Sequence, residues 1–428
     1  MDFKNKKILV LGKGITGQAT ASFLIKKEAI VSIKDEKEDG SFIEIDPTEY
    51  HLIVQSPGIS RQHPFLLKCD QLGIKVTNEI ELAAQNTNKK IIAVTGTNGK
   101  TTTVNLIHHL LNTCNLKNAL VGNVGTPFIA MTENDYDYYV LELSSYQLEA
   151  VDLFKPEIAI ITNLTPDHLE RHKTMDNYLN IKKKIFKNMD SSNFIILNYD
   201  DPYLKNIEVE KSKKLFISTK TKVTGIFLEN DIIYLNLDKK QLLLNINDLL
   251  IFGIHNIENI MFAILAGYLS GQSLECLIQG ALTFKGVEHR LEFIREHNGV
   301  KYYNDSKSTN PEASITAIKA FNNTMIYLIL GGSHKSVDYG ALAKTIKENN
   351  VCPILQGATR EEIKNALELA GVKKYILCKD MKSALDSAVQ IAKKDEVIIL
   401  SPACASFDQF INFENRGEVF KSYVNEIK

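Results

Sequence analysis

The chain has no excess of charge of either sign. Its 50 Lys and Arg stand against 51 Asp and Glu, a formal net charge of -1. A field that would gather nucleic acid or an anionic membrane over the whole surface is therefore excluded. Any anionic ligand has to be held by local charges. No stretch approaches ~18 apolar residues, so no membrane-spanning helix is expected. A signal peptide is not expected either, because Lys4, Lys6 and Lys7 precede an apolar run of only residues 8–11 before Gly12. The cysteines at 69, 114, 276, 352, 378 and 404 form no CxxC pair, which argues against zinc ribbons and thioredoxin-type centres. Reduced thiols in a cytosolic protein are the expectation. No fixed-period repeat or low-complexity tract is visible.

What is present is an ordinary globular mixture, 44% hydrophobic and 24% charged, which sets aside disorder, collagen and a coiled-coil rod. At ~150 residues per domain, 428 residues suggest about three domains. Short apolar runs at 8–11, 30–33, 51–55, 91–95, 138–142 and 157–162 read as strands, as do 194–198, 325–330, 351–356, 374–378 and 397–401. Most are continuous rather than alternating, as in parallel sheets covered on both faces. Helical patterns at 18–27, 102–111 and 361–369 lie between them, so the class is α/β. Polar residues 86–90 and the segment 286–290 break the chain into domains 1–85, 86–286 and 287–428. Between 213 and 250 the pattern changes to short strands with turns, which predicts a small antiparallel insert in the middle domain.

The first chemical motif is Gly12-Lys13-Gly14-Ile15-Thr16-Gly17 after the first strand, with Asp35 ending the second. This meets the dinucleotide fingerprint: glycines for a tight turn, a helix N-terminus for phosphate and an acid for ribose. NAD binding is the obvious reading and a tight strand-to-helix turn the plain one. Ser56-Pro57-Gly58 ends the third strand and is expected at the same crevice.

The second motif is Gly96-Thr97-Asn98-Gly99-Lys100-Thr101-Thr102 between a buried strand and a helix. Exposed N–H groups and a helix dipole favour phosphate there, Lys100 can reach the outer phosphates, and Thr101 can ligate Mg²⁺. Val94 stands where the full GxxxxGK[ST] pattern has its first glycine. Mg²⁺ prefers carboxylate oxygen, and Glu142 ends the strand 138–142 at the same sheet edge. Asp167 and His168 follow the strand 157–162. His168 reads either as a metal ligand or as a satisfied loop histidine. Lys182 falls on an apolar stripe with Tyr178, Ile181, Ile185 and Phe186, whereas Lys183 and Lys187 point outward. A buried ammonium beside a metal is electrostatically awkward, and carbamylation by CO₂ would turn it into an anionic ligand.

Together with Leu143-Ser144-Ser145-Tyr146-Gln147 and His255-Asn256-Ile257-Glu258-Asn259, these motifs resemble the ATP-dependent Mur ligases. Glu288-His289-Arg290, residues 304–310, residues 331–335 and residues 401–410 are similar to the D-glutamate-adding branch of that family. The implied fold is a Rossmann-like first domain, a P-loop-type mononucleotide-binding α/β middle domain and a Rossmann-like third domain. The implied activity is an ADP-forming amide ligation in cytoplasmic peptidoglycan precursor synthesis. It joins D-glutamate to UDP-N-acetylmuramoyl-L-alanine through an acyl phosphate. Ile15, Thr16 and Asp35 would lie near uracil, Gly14, Ser56 and Gly58 near the diphosphate or sugar, and Asn123 at the muramoyl group. Gly96 to Thr102 would cradle ATP phosphates. Thr101, Glu142, His168 and a carbamylated Lys182 would hold two Mg²⁺, with Mn²⁺ an alternative. Lys100, His168 and Lys182 would be the catalytic groups. Asn256 and Asn259 would contact adenine, and Arg290, Asp305 and Lys307 would reach ATP from the third domain. Thr309, Lys335, Ser406 and Phe413 would hold D-glutamate, with plain core as the other reading of Phe413. Lys13 inside the first loop and Ser333-His334 before Lys335 depart from the commonest pattern. A monomer that binds neither nucleic acid nor membrane is expected. The alternatives are a folylpolyglutamate-synthase-like ligase and a non-catalytic NAD- or nucleotide-binding module.

Overall fold

The computed structural model describes residues 2–251, 253–321, 324–334 and 337–427. They form two compact units, one of residues 1–248 and 258–281, the other of 249–257 and 282–428.

The first unit carries two sheets. The smaller has the order β2-β1-β3-β4, built from β1 (Lys7–Leu11), β2 (Ile30–Lys34), β3 (Leu52–Gln55) and β4 (Val76–Asn78). All its pairings are parallel. The larger contains β5 (Lys90–Thr95), β6 (Asn118–Gly122), β7 (Tyr138–Glu142), β8 (Ile158–Ile161) and β9 (Phe194–Asn198). It continues through β10 (Lys213–Ser218), β11 (Gly225–Glu229), β12 (Ile232–Asn236) and β13 (Lys240–Asn245). The order is β13-β12-β11-β10-β9-β8-β5-β7-β6. Thus β5 lies between β7 and β8, where the winding reverses, and the crevice at its C-terminal end is the natural ligand position. The apolar runs explain this placement: β5, β7 and β8 are buried along nearly their whole length.

The antiparallel strands expected between 213 and 250 are joined to this sheet as its edge. β10 and β11 pair in parallel, and only β11-β12-β13 form antiparallel hairpins. One apolar core runs from Val10 and Leu24 through Ile80 and Leu82 to Ile91 and Phe128, so it joins the two sheets without a gap at the polar residues 86–90.

The second unit holds β14 (Glu292–His297), β15 (Val300–Asn304), β16 (Ile326–Leu330), β17 (Val351–Leu355), β18 (Ile376–Leu377) and β19 (Val397–Leu400). Their order is β14-β15-β19-β16-β17-β18, parallel except for the β14-β15 hairpin.

One expectation is overturned. Cys114 and Cys276 form a disulfide between the helices Lys100–Thr113 and Leu274–Thr283, with Cα atoms 5.3 Å apart. The two lie 162 residues apart, so no short-spacing rule could pair them. Cys69, Cys352, Cys378 and Cys404 are thiols. Among the described residues no helix is long and apolar enough to cross a membrane.

Candidate active site

The phosphate loop is held from below by the turn after β8. Gly96 has φ +144, and a Cβ there would lie 1.9 Å from Thr162 Oγ1, so only glycine fits. Thr97 N donates to Asn163 O (3.0 Å), Asn98 N to Asn163 Oδ1 (2.9 Å), and Thr162 Oγ1 to Asn98 O (2.6 Å). The helix Lys100–Thr113 starts from Gly99 at φ +83 and has no side-chain cap. Its first N–H groups therefore lie at the mouth of the loop, as phosphate binding requires. Thr101 and Thr102 form its first turn with Lys100.

Two lysines converge on this loop. Lys100 Nζ donates to Gly96 O (3.0 Å) and Thr97 O (2.8 Å). Lys182 is 1% exposed, and its Nζ donates to Gly96 O (2.8 Å) and Thr95 Oγ1 (3.4 Å) above the Tyr178 ring. Burial, and then the charge of Lys100, push its ammonium down to about 7. The sequence stripe thus located a lysine that gives up its proton far more readily than an ordinary lysine.

Glu142, at the end of β7, is 2% exposed. Its Oε1 accepts from Asn123 Nδ2 (2.8 Å), while Oε2 is buried with no hydrogen-bond partner. A buried carboxylate oxygen left in that state fits a cation ligand. Asn123 also donates its backbone N–H to Glu142 O (3.0 Å), so it fixes the position of that carboxylate.

His168 adopts φ +52, and its side chain is 45% exposed. Nε2 lies 3.4 Å from Asp167 Oδ2 and Nδ1 3.6 Å from Glu170 Oε1. The ring faces Tyr146 at 5.0 Å between centroids. It is a loop histidine with a carboxylate near each ring nitrogen.

At the first loop, a Cβ on Gly17 would lie 1.9 Å from Gly12 O, and one on Gly12 would strike Ser56 Oγ at 2.4 Å. The glycines therefore let the loop, the helix Ile15–Lys26 and Ser56 pack together. Gly14 caps that helix through its backbone, Thr16 O accepts from Thr20 Oγ1, and Ile15 is 79% exposed. Gly58 is exposed beside Ser56. Asp35 accepts from Lys13 N (3.2 Å) and Lys37 N (3.1 Å), bonds that hold its carboxyl below the usual range. The unexpected Lys13 ammonium pairs with Asp39 (2.7 Å) and Glu38 (2.8 Å), contacts that raise it to about 12.

In the second unit, Asp305 is buried and fully engaged. It accepts from Leu291 N (3.1 Å), Ser401 Oγ (2.6 Å) and Ser308 Oγ. Desolvation outweighs these bonds and pushes the carboxyl up to about 6. Its structural work is to tie together the turns that carry Arg290 and Lys307. Arg290 is exposed between His289 and Leu291, both at positive φ. Lys307 N donates to His289 O (2.9 Å), and its Nζ lies 5.9 Å from the centre of the Phe413 ring. Thr309 N donates to Lys307 O (2.9 Å). Phe413 is half-buried, edge-on to His289 at 6.0 Å, and therefore not plain core. Ser406 is buried and accepts from Gln409 N and Phe410 N. Ser333 Oγ accepts from Asp408 N (2.8 Å), and His334 Nδ1 meets Glu362 Oε1 at 2.6 Å. Lys335 lies outside the described residues. Asn256 belongs to this unit and Asn259 to the first, where Asn259 Oδ1 accepts from Thr103 Oγ1 (3.0 Å).

Sequence reasoning missed Arg416. It is 1% exposed and donates to Ser306 Oγ (2.9 Å), Ser306 O (2.8 Å) and Ala405 O (3.2 Å). The spacing Phe413, Arg416, Phe420, Val424 puts it on an apolar stripe, the same signal that located Lys182. Another acidic group, Glu288, His289 and Glu418, has metal-like spacing, but Lys421 Nζ lies 2.6 Å from both carboxylates and supplies the cation itself.

The family pattern described as Mur ligase middle domain matches residues 94–267, and the one described as Mur ligase, glutamate ligase domain matches 289–404. The chain belongs to the Mur ligase family. It is 39% identical to UDP-N-acetylmuramoylalanine--D-glutamate ligase of Caldanaerobacter subterraneus subsp. tengcongensis, over 100% of both chains. It is 37% identical to the enzyme of that name from Clostridioides difficile, again over 100% of both. Among solved structures, UDP-N-acetylmuramate-alanine ligase MurC of Thermotoga maritima has a similar fold, with TM-score 0.61 and 18% identity over 99% of this chain and 100% of that one. MurF ligase of Thermotoga maritima in complex with ADP has TM-score 0.57 and 18% identity over 99% and 96%. The chain is therefore a ligase, and the alternative of a non-catalytic nucleotide-binding module gains no support from these matches. Nor does the folylpolyglutamate-synthase-like reading.

Proposed function

We propose that this ligase adds D-glutamate to UDP-N-acetylmuramoyl-L-alanine with turnover of ATP, in cytoplasmic peptidoglycan precursor synthesis. The observation that carries the chemistry is the phosphate loop with two lysines on Gly96 O and the unpartnered Glu142 Oε2. The full-length likeness to D-glutamate ligases at 37–39% identity supports the choice of substrates.

A carboxylate is a poor electrophile, being anionic with oxide as its leaving group. In the proposed reaction an oxygen of the L-alanyl carboxylate attacks the γ-phosphorus of ATP and ADP leaves. The D-glutamate amine, in its deprotonated form, then attacks the acyl carbon; phosphate leaves, the nitrogen gives up one proton, and an amide remains. Lys100 neutralises charge as it gathers on the transferred phosphoryl group. The N–H groups of 96–102 orient the phosphates. Two Mg²⁺ would be held by Thr101, Glu142, His168 and a carbamylated Lys182, and when bound they offset the charge of the phosphates. The neutral Lys182 amine has the lone pair that addition to CO₂ requires, and the addition forms an N–C bond and releases one proton.

Apart from Asn123 and from Arg290, Asp305 and Lys307, the substrate roles follow the three segments: 1–85 for the UDP moiety, 86–286 for ATP and 287–428 for D-glutamate. Gly14, Ile15, Thr16, Asp35, Ser56, Gly58 and Asn123 serve the first substrate. Asn256, Asn259, Arg290, Asp305 and Lys307 serve ATP, with Asp305 acting through the turns it holds. Thr309, Lys335, Ser406 and Phe413 serve D-glutamate. The protein works as a monomer.

Phosphate release measured with each substrate omitted in turn tests this reading. Release should require ATP, UDP-N-acetylmuramoyl-L-alanine and D-glutamate together. Equal rates with L-glutamate would overturn the assigned amino acid.

A further inference from the structure

Arg171 lies on the short helix Leu169–His172, immediately after Asp167 and His168. Its guanidinium grips Glu149 with two nitrogens: Nε donates to Oε1 (3.0 Å) and Nη2 to Oε2. The side chains of this pair are only 14% and 11% exposed. Two more donor hydrogens leave the central sheet's loops altogether. Nη1 donates to Pro57 O (3.2 Å) and Nη2 to Ile59 O (3.2 Å), both on the loop after β3. Both faces of the fork are thus occupied, one by a carboxylate and one by the loop that carries Ser56 and Gly58.

The same guanidinium lies 4.0 Å from the centre of the Tyr146 ring. Tyr146 in turn faces His168 at 5.0 Å and His172 at 5.6 Å. His172 stacks on Tyr178 at 5.1 Å, and Tyr178 has Lys182 Nζ over its ring and meets Thr97 Oγ1 at 3.3 Å. A continuous line of contacts therefore joins the 56–59 loop to the phosphate loop, and Arg171 is its link to the first sheet. Lysine could not replace it, because a single ammonium lacks the planar fork that serves a carboxylate, two separate carbonyls and a ring face at once.

We propose that Arg171 is a positioning residue that makes the 56–59 loop and the His168 turn one mechanical unit. Seating the sugar nucleotide on the first then sets the position of the second. This rests on the substrate placement given above.

The test compares the wild-type protein with Arg171→Lys and Arg171→Ala. Arg171→Lys should raise the KM for UDP-N-acetylmuramoyl-L-alanine by about tenfold, the scale of one lost charge-assisted bond. It should leave the KM for D-glutamate within about twofold of wild type. A fall in kcat alone, with every KM unchanged, would mean a merely structural role and would overturn the proposal. So would wild-type kinetics in Arg171→Lys.

Hydrogen exchange reads the coupling without turnover. Amides of 56–63 and 168–172 should exchange faster together in Arg171→Lys. Acceleration confined to 168–172, or in neither segment, would overturn the proposal. If Arg171→Ala does not fold, Arg171→Lys still decides, since it keeps the charge and removes only the fork. A wild-type protein that ignores the UDP substrate would defeat the substrate assignment, while the exchange result would still judge the link.

Discussion

Lys182 and Arg416 are both basic residues buried to 1% exposure on the apolar stripe of a helix, one in each unit, yet their surroundings set their charge differently. Arg416 meets three oxygens at 2.8 to 3.2 Å, and burial brings it down only to about 10, so it stays charged. Lys182 meets one carbonyl and, at 3.4 Å, one hydroxyl, with Lys100 adding repulsion, and it falls to about 7. A guanidinium with its donors met is a fastener. An amine that releases its proton is a reagent, able to add CO₂. Burial alone does not separate the two; the number of acceptors and the sign of the neighbouring charge do.

The largest effect expected from this contrast is on rate. Lys182→Ala should lower ligation by about a hundred- to a thousandfold, the scale of losing one electrostatic device in an active site. Short carboxylic acids added to the assay should restore part of the activity, because they can replace a carbamate but not an ammonium. If lysine-sized amines rescue and acids do not, Lys182 acts as a cation and the contrast with Arg416 fails.

Arg416→Met comes next. Removing the guanidinium strands the buried Ser306 O, while Ala405 O keeps Ser333 N and Ser306 Oγ keeps Phe413 O, and should cost roughly 2 kcal/mol of stability. Thermal or denaturant unfolding would measure it. An unchanged midpoint would show that these bonds do not fasten the 306 and 405 turns.

The legibility of the sequence divides along the same physical line. The parallel strands were readable because burial on both faces leaves continuous apolar runs, as in β5, β7 and β8. The phosphate loop was readable because its glycines and lysine are adjacent in the chain. Lys182 was readable because a charge on an apolar stripe breaks a local pattern. Arg416 breaks the same pattern and is legible in the same way, from Phe413, Phe420 and Val424 around it. Arg171 could not have been found. Two of its acceptors are the carbonyls of Pro57 and Ile59, more than a hundred residues away, and a carbonyl has no side-chain signature. The Cys114–Cys276 pair is hidden for the same reason of distance. The helix starts also shifted. The helix expected at 18–27 runs from Ile15 to Lys26, because Gly14 is extended and serves as its cap.

The smallest effect sharpens the contrast furthest, because it reads the Lys182 proton without turnover. Burial lowers the Lys182 value from 10.5 to about 7, so between those limits the unfolded chain holds a proton that the folded chain has lost. Stability from this residue therefore rises with pH through that window, and the penalty for burying the ammonium is complete below about 7. Lys182→Met removes the penalty along with the bond to Gly96 O, which Lys100 continues to serve. In CO₂-depleted buffer the variant should exceed the wild type at pH 6 by a net of about 1 kcal/mol. The gain should vanish within about one pH unit above pH 7 and turn into a deficit that deepens towards pH 10, since each pH unit in that window moves the balance by about 1.4 kcal/mol. Arg416→Met should show no such slope over that range, since arginine stays protonated up to about 10. A difference between Lys182→Met and wild type that is flat from pH 6 to pH 10 would mean that Lys182 holds its proton as firmly as Arg416 does, and the amine would then be unavailable for CO₂.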